Sequence, residues 1–125
     1  METHFYFEIQ ADNVQRAASF YKELFGWEFE KVEGLPIEYW NIHTGGMFGG
    51  LLQRPAKMPP PEYGANAFVN SIWVDDFDAT ARKILELNGE IALPKFAVPG
   101  KCWQGYFRDT EGNTFGLFEV DQTAK

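Results

Sequence analysis

The sequence is short of the residues that mark several classes of protein. Its one cysteine, Cys102, has no partner in the chain for a disulfide and fits a reducing compartment. No apolar run approaches the roughly 18 residues of a membrane-spanning helix. The opening residues, Met1–His4, lack the basic and apolar regions of a secretory signal. We therefore expect a cytoplasmic protein without a membrane anchor.

Positive charge is also scarce. The chain has 11 Lys and Arg residues against 18 Asp and Glu residues, which gives a net charge of −7. A surface of this sign repels the phosphate backbone of nucleic acids and anionic membrane surfaces. We therefore expect neither nucleic acid nor a membrane among its partners.

Aromatic side chains, in contrast, are abundant. The 125 residues include 12 Phe, five Tyr and four Trp. A chain of this length most often forms one domain and buries about two-thirds of its unfolded surface. The rings exceed what so small a core needs, so we expect some of them to line a cavity for a small, partly apolar molecule.

The chain contains two copies of one pattern, an alternating strand, an amphipathic helix and three further strands. Most corresponding positions are 63 residues apart, and near the end of each copy the offset becomes 66. The corresponding residues include Ile9 and Ile72, Asn13 and Asp76, Gly26 and Gly89, Gly50 and Gly116, and Leu51 and Leu117. We therefore predict an α+β fold of two βαβββ modules that form one domain.

The first module covers about residues 5–53. Its helix is predicted to begin after Asp12 or Asn13 and to end at Gly26. Its predicted strands are residues 5–11, 27–32, 37–42 and 48–53.

Residues 54–66 are predicted to form an extended linker because they contain Pro59–Pro61 and Gly64. The alternative is a proline-rich ligand for a partner domain.

The second module covers about residues 67–120. Asp76 is predicted to cap its helix and Gly89 to end it. A turn at residues 109–113 should lead into the last strand, because Gly112 and Asn113 tolerate positive φ. The other predicted strands are residues 67–75, 91–93 and 102–108.

Each helix should cover one face of its sheet and leave the other face bare. The core residues predicted on the two helices are Ala18, Tyr21, Leu24, Ala81, Ile84 and Leu85. Two bare faces would be buried if they came together around a shared cleft.

This arrangement, with the helix segment RAASFYKELFGW (residues 16–27) and the turn DTEGN (residues 109–113), resembles the vicinal oxygen chelate superfamily. That superfamily includes glyoxalase I, bleomycin-resistance proteins and extradiol dioxygenases. The resemblance covers about residues 5–120 and is closest to small bacterial glyoxalase-like proteins.

The resemblance also implies where a metal ion would bind. Metal-dependent members usually hold one ion with two His and two Glu from the first and last strands of each module. The matching positions here are Tyr6, Gly50, Val69 and Gly116. A neutral phenol is a poor ligand, and valine and glycine side chains have no donor atom. We therefore expect that the superfamily metal site is lost and that no cofactor is bound.

Other residues of metal-binding type are His4, His43, Glu8, Glu38 and Cys102. The two histidines lie near strand ends, where an isolated imidazole is more often solvated than ligating. Cys102 follows Lys101, but the sequence shows no base that would make it a nucleophile.

The candidate catalytic residues are Glu8 and Tyr6, which alternation places on the cleft side of the first strand. There Glu8 would accept a proton while the Tyr6 phenol donates a hydrogen bond. The alternative for Glu8 is a rim carboxylate bonded to a neighbouring strand. We expect Gly50 and Gly116 to leave open volume in the cleft. The candidate ligand-binding residues are Gln10, Gly50, Val69, Ser71, Trp73, Trp103, Gln104, Gly116 and Phe118.

These observations leave three functional hypotheses. The first is a metal-independent protein that binds a small, partly apolar molecule in the cleft, either sequestering it or acting on it as an enzyme. The second is a metal-dependent lyase or dioxygenase of the glyoxalase type with displaced ligands. The third is a structural or partner-binding module.

We also predict a homodimer. In the superfamily that the chain resembles, the paired sheets are often extended across a two-fold axis, and an isologous contact would cover exposed aromatic rings. Sedimentation at micromolar concentration should therefore give twice the chain mass, and a monomer alone would contradict the prediction.

Overall fold

The computed structural model describes residues 6–55 and 69–125. It divides the chain into two compact units, Met1–Met58 and Pro59–Lys125. Residues 56–66 of the predicted linker lie outside the described part of the chain. In the ranges that are described, no helix is long and apolar enough to cross a membrane.

The first unit has one helix packed on a four-stranded sheet. Its strands are arranged in the order β1-β4-β3-β2, with β1 parallel to β4 and the other two pairings antiparallel. The elements in chain order are β1 (Phe7–Ala11), α1 (Val14–Phe25), β2 (Glu28–Lys31), β3 (Tyr39–His43) and β4 (Phe48–Gln53).

The second unit repeats this topology with the strand order β5-β8-β7-β6. Ile72 lies opposite Leu117 just as Ile9 lies opposite Leu51, so the strand register follows the sequence repeat. The predicted α+β fold with two βαβββ modules is therefore confirmed. The elements are β5 (Ser71–Trp73), α2 (Phe77–Glu86), β6 (Glu90–Val98), β7 (Cys102–Arg108) and β8 (Thr114–Val120).

Side chains cap the start of both helices, as predicted. The Asn13 side chain accepts a 3.0 Å hydrogen bond from the N–H of Arg16, and the Asp76 side chain accepts one of 3.0 Å from the N–H of Ala79. Gly26 ends α1 with a left-handed φ of 74°.

The end of α2 differs from the prediction that Gly89 stops it. Asn88 takes the left-handed conformation instead, with a φ of 69°. A Cβ added to Gly89 would lie 2.6 Å from Cγ2 of Ile84 and 2.9 Å from the carbonyl oxygen of Arg108. Position 89 therefore requires glycine because the chain passes close to its neighbours.

Two predicted strands differ from the structure by more than two residues at one end. The strand expected at residues 91–93 extends over Glu90–Val98, with shifts of register on either side of Leu93. Pro94 lies at this irregularity, which an edge strand tolerates because it pairs on one side only. The strand expected at residues 67–75 covers Ser71–Trp73, and residues 67 and 68 lie outside the described part.

The predicted turn before the last strand is present. Asp109 is buried, and its side chain accepts hydrogen bonds from the N–H groups of Glu111 at 2.8 Å and Asn113 at 2.9 Å. Gly112 supplies the positive φ, 79°. The turn thus supplies a buried carboxylate with two N–H donors from its own backbone.

Each unit has its own hydrophobic core between helix and sheet. The first centres on Ala11, Val14, Ala17, Ile42 and Leu51. In the second, Phe107 lies 6.0 Å from the Phe77 ring and 6.1 Å from the Phe115 ring. Ile84 and Leu117 complete this second core.

The buried faces of the helices were predicted correctly in part. Tyr21 and Ile84 are buried, whereas the prediction that Leu85 is core is wrong, since its side chain is 47% exposed. Leu85 lies about 100° around the helix from Ile84, which turns it away from the sheet. The half-buried members of the predicted set are Ala18, Leu24 and Ala81.

The two neighbouring residues of α2 provide a matched test of this core. Ile84→Ala should lower the free energy of unfolding by about 2–5 kcal/mol, because it removes buried methyl groups and leaves a cavity. Leu85→Ala should change it by less than about 0.5 kcal/mol. Urea unfolding measures both, and equal losses would contradict the assigned helix face.

Candidate functional site

Each sheet has a face that points away from its own helix, which we call the open face. On β1, Phe7, Ile9 and Ala11 point to the core, so Tyr6, Glu8 and Gln10 belong to the open face of the first unit. All three are exposed. The predicted alternation of this strand is therefore confirmed.

Tyr39 brings the two candidate catalytic residues together. Its hydroxyl lies 2.7 Å from the hydroxyl of Tyr6 and donates a 2.9 Å hydrogen bond to Oε2 of Glu8. Because Tyr39 gives its proton to Glu8, the Tyr6 hydroxyl must donate in the bond between the two phenols. The result is a chain of donors that ends on the carboxylate.

The position of this chain depends on Gly50. Glu8 on β1 and Asn41 on β3 both pair with Gly50, so the Tyr39 side chain reaches Glu8 across a residue that has no side chain. A Cβ at position 50 would overlap the Tyr39 hydroxyl and lie 2.9 Å from the hydroxyl of Tyr6. Tyr39 therefore fills the volume that was expected to stay open.

Partial burial, together with hydrogen bonds to Tyr6 and Glu8, raises the pKa of Tyr39 above its ordinary value. Tyrosine is protonated at physiological pH in any case, and the raised pKa keeps the Tyr39 phenol a donor in alkaline solution as well. Sequence reasoning missed this residue. The signal was the hairpin between β3 and β4, in which His43 pairs with Phe48 and so places Tyr39 on the same face as Gly50.

The second unit has an equivalent arrangement at Gly116. Ser71 pairs with Gly116, and Nε2 of Gln104 donates a 3.1 Å hydrogen bond to Oγ of Ser71. A Cβ at position 116 would overlap Oγ of Ser71 and lie 2.8 Å from Nε2 of Gln104. The expected open volume at Gly116 is thus also filled, by a hydroxyl and an amide.

The other predicted contacts divide between the two faces of the second sheet. Val69 and Trp73 are exposed, and the rings of Trp73 and Phe118 stack at 6.3 Å on the open face. Trp103 lies on the other face of β7 from Gln104, where its Nε1 donates a 3.0 Å hydrogen bond to Asp121. The structure therefore does not bring Trp103 to the candidate site.

The four positions implied for a metal ion carry a phenol, a valine and two glycines. A carboxylate introduced at Gly50 would have to displace Tyr39. Within residues 6–55 and 69–125, no three His, Cys, Asp or Glu side chains gather as a metal site. His43 packs edge-on against Phe48, while His4 lies outside the described residues. The residues at these positions do not fit the ion.

Comparison with known proteins identifies the family. A sequence profile of the Glyoxalase/Bleomycin resistance protein/Dioxygenase superfamily matches residues 4–117. The chain belongs to this superfamily. The resemblance to vicinal oxygen chelate proteins is therefore confirmed.

Two similar proteins are named as a glyoxylase or as glyoxylase-like. The chain is 31% identical over 121 residues to a glyoxylase-like domain-containing protein of Didymella fabae, which covers 88% of each chain. It is 26% identical over 120 residues to the putative glyoxylase CFP32 of Mycobacterium bovis, covering 92% of this chain and 44% of that protein.

The fold is also found in solved structures. One is a mutant of the fosfomycin resistance protein FosX of Listeria monocytogenes, complexed with Mn(II) and a dihydroxypropylphosphonic acid. It has a TM-score of 0.73 and 13% identity, and the match covers 97% of this chain and 94% of that one. Similarity at this level of identity shows a shared fold.

The raised pKa of Tyr39 predicts how stability depends on pH. Folded Tyr39 keeps its proton to higher pH than tyrosine in the unfolded chain. Its contribution to the free energy of unfolding is therefore complete below about pH 10 and declines as the pH rises above that value. Between about pH 9.5 and pH 11, the free energy of unfolding should fall more steeply for the wild type than for Tyr39→Phe. Urea unfolding across this range measures both slopes. Phe48→Leu, on the same face, should keep the wild-type slope, and equal slopes for Tyr39→Phe would contradict the assignment.

Proposed function

We propose that the protein binds a small, partly apolar molecule on its open faces without a metal ion. The observation that supports this most is the hydrogen-bonded chain of Tyr6, Tyr39 and Glu8 above Gly50. It occupies the place where metal-dependent relatives are expected to hold ligands, and it ends on a carboxylate that can accept a hydrogen bond from a bound molecule. The exposed rings around it would supply apolar contact.

Glu8 is the residue best placed to act on a bound molecule. Its carboxylate is exposed, and one oxygen already accepts a hydrogen bond from Tyr39. The other oxygen can therefore accept a proton, or a hydrogen bond from a donor group of the ligand. The Tyr39 hydroxyl orients this carboxylate, and Tyr6 in turn donates to Tyr39. Such an arrangement suits binding, and it also suits proton transfer as an acid or base.

A second candidate is a metal-dependent lyase or dioxygenase with displaced ligands. It is favoured by the fold shared with FosX, whose solved structure contains Mn(II). Its ligands would have to include residues outside the described ranges, such as His4, or residues gathered from elsewhere.

Metal analysis separates the two candidates. The protein should be purified without chelators and without an affinity tag, and then analysed for bound metals. We expect less than about 0.1 metal ion per chain, because a phenol, a valine and two glycines do not supply the nitrogen, sulfur or carboxylate donors that retain a divalent ion. One ion per chain would overturn the first candidate and favour the second.

Glu8→Gln tests the site itself. Compounds that stabilise the wild type in a thermal-shift screen of small metabolites should stabilise Glu8→Gln less, because the amide cannot accept a proton in place of the carboxylate. Tyr39→Phe should also be stabilised less by these compounds, because it removes the hydrogen bond that orients the Glu8 carboxylate.

Glu23→Gln is the matched control, because it makes the same change on the exposed surface of α1. It should respond to ligands as the wild type does. If Glu8→Gln and Glu23→Gln behave alike while both remain folded, the site is not at Glu8.

The location and assembly belong to the same proposal. We propose a cytoplasmic homodimer, in line with the single free cysteine and with the large aromatic side chains that each chain exposes.

A further inference from the structure

The polar pair on the second open face has hydrogen-bonding capacity left over. Gln104 uses one amide hydrogen to bond Ser71 Oγ, which leaves its side-chain carbonyl as an acceptor. Ser71 accepts that bond and keeps its own hydroxyl hydrogen to donate. The hydrogen-bonded pair beside Gly116 therefore retains one donor, on Ser71, and one acceptor, on the Gln104 amide.

Aromatic rings flank this pair on both sides. Trp73, two residues beyond Ser71 on β5, stacks on Phe118 at an interplanar angle of 14°. Phe96 and Tyr106 stack with a centroid distance of 6.3 Å on the side of β6. Residues two apart on a strand are about 6–7 Å apart. A ligand ring stacked on the Trp73 indole would therefore have one of its edges near Ser71.

Trp73 is open to such a contact. Its side chain is 67% exposed, which is unusual for the largest apolar residue type. Covering an indole ring removes much apolar surface from water, and flat rings stack on it regardless of their substituents.

The second open face is also uncharged where these residues meet. Ser71, Trp73, Gln104, Tyr106 and Phe118 carry no formal charge, although the chain has a net charge of −7. The first open face instead carries Glu8. A charged ligand placed on the neutral face would lose water without gaining a partner of opposite charge.

We propose that the second open face binds a flat, uncharged nitrogen heterocycle with a lactam edge. The ring stacks on Trp73, its carbonyl accepts the hydroxyl hydrogen of Ser71, and its N–H donates to the side-chain carbonyl of Gln104. This inference rests on the proposed function and names the ligand class for one part of it.

Quinazolinone, a bicyclic lactam, is the probe. Calorimetric titration of the wild type should give saturable binding with a Kd below about 1 mM. Trp73→Leu should weaken binding about tenfold or more, because one stacking contact is lost from an exposed position. Phe48→Leu is the matched control, since Phe48 is a 61% exposed ring of the first unit, and it should bind as the wild type does.

The lactam edge is tested by N-methylquinazolinone, which has no N–H to donate. The wild type should bind it about fivefold more weakly than quinazolinone. Gln104→Met, which keeps the side-chain length but not the carbonyl, should remove this difference. Ser71→Ala should weaken both compounds, because each retains the ring carbonyl.

Two results would overturn the inference: no saturable binding of quinazolinone by the wild type, or equal binding by Trp73→Leu. If Glu8→Gln weakens quinazolinone binding and Trp73→Leu does not, the ligand lies on the first open face. In that case the proposed function stands and only this inference fails. If screened compounds stabilise the wild type and Glu8→Gln equally, the site assigned to Glu8 fails, whatever quinazolinone does.

Discussion

The parallel pairing of the first and last strands in each unit is the constraint on which the rest of the structure depends. It sets β4 between β1 and β3, and β8 between β5 and β7. The side chains of the two flanking strands can then meet above the middle strand only where that strand has no side chain. Gly50 and Gly116 provide this space. The equivalent strand register in the two units therefore determines the position of both polar clusters.

The same scaffold holds different chemistry in its two halves. Above Gly50 a carboxylate accepts from a phenol whose pKa is raised, which makes a fixed acceptor and a permanent donor. Above Gly116 a hydroxyl and an amide bond to each other, and neither changes charge in the physiological range. An internal repeat thus preserved the backbone geometry while the side chains at matching positions diverged.

This divergence explains why membership of the superfamily leaves the reaction open. A fold positions side chains, but the side chains at the site decide the chemistry. At the two last-strand positions where metal-binding relatives are expected to carry ligands, this chain has glycines, whose missing side chains leave room for Tyr39 and for Ser71 with Gln104. Returning a carboxylate to position 50 would also require moving Tyr39, so the two arrangements exclude each other sterically.

The sequence by itself determined the repeat, the helix caps at Asn13 and Asp76, the turn at Asp109 and the alternation that put Tyr6 and Glu8 on one face. These features are local, because they depend on hydrogen bonds and periodicities within a few residues. Leu85 was wrongly predicted to be buried because the apolar pattern of the helix is compatible with a buried face that includes either Ile84 alone or both residues. Gly89 was misread because sequence cannot distinguish a glycine needed for φ from one needed for space.

Only the tertiary structure decided which side chains meet. Tyr39 contacts residues 31 and 33 positions away, and Gln104 reaches Ser71 across 33 positions. Such contacts depend on the register of three adjacent strands, and a shift of one residue would turn each side chain to the other face. Composition indicated an excess of aromatic rings, and the resemblance to the superfamily implied that the four expected ligand positions carry no usual metal ligand. The pairing of strands determined that a tyrosine and a glutamine fill the spaces beside the two glycines.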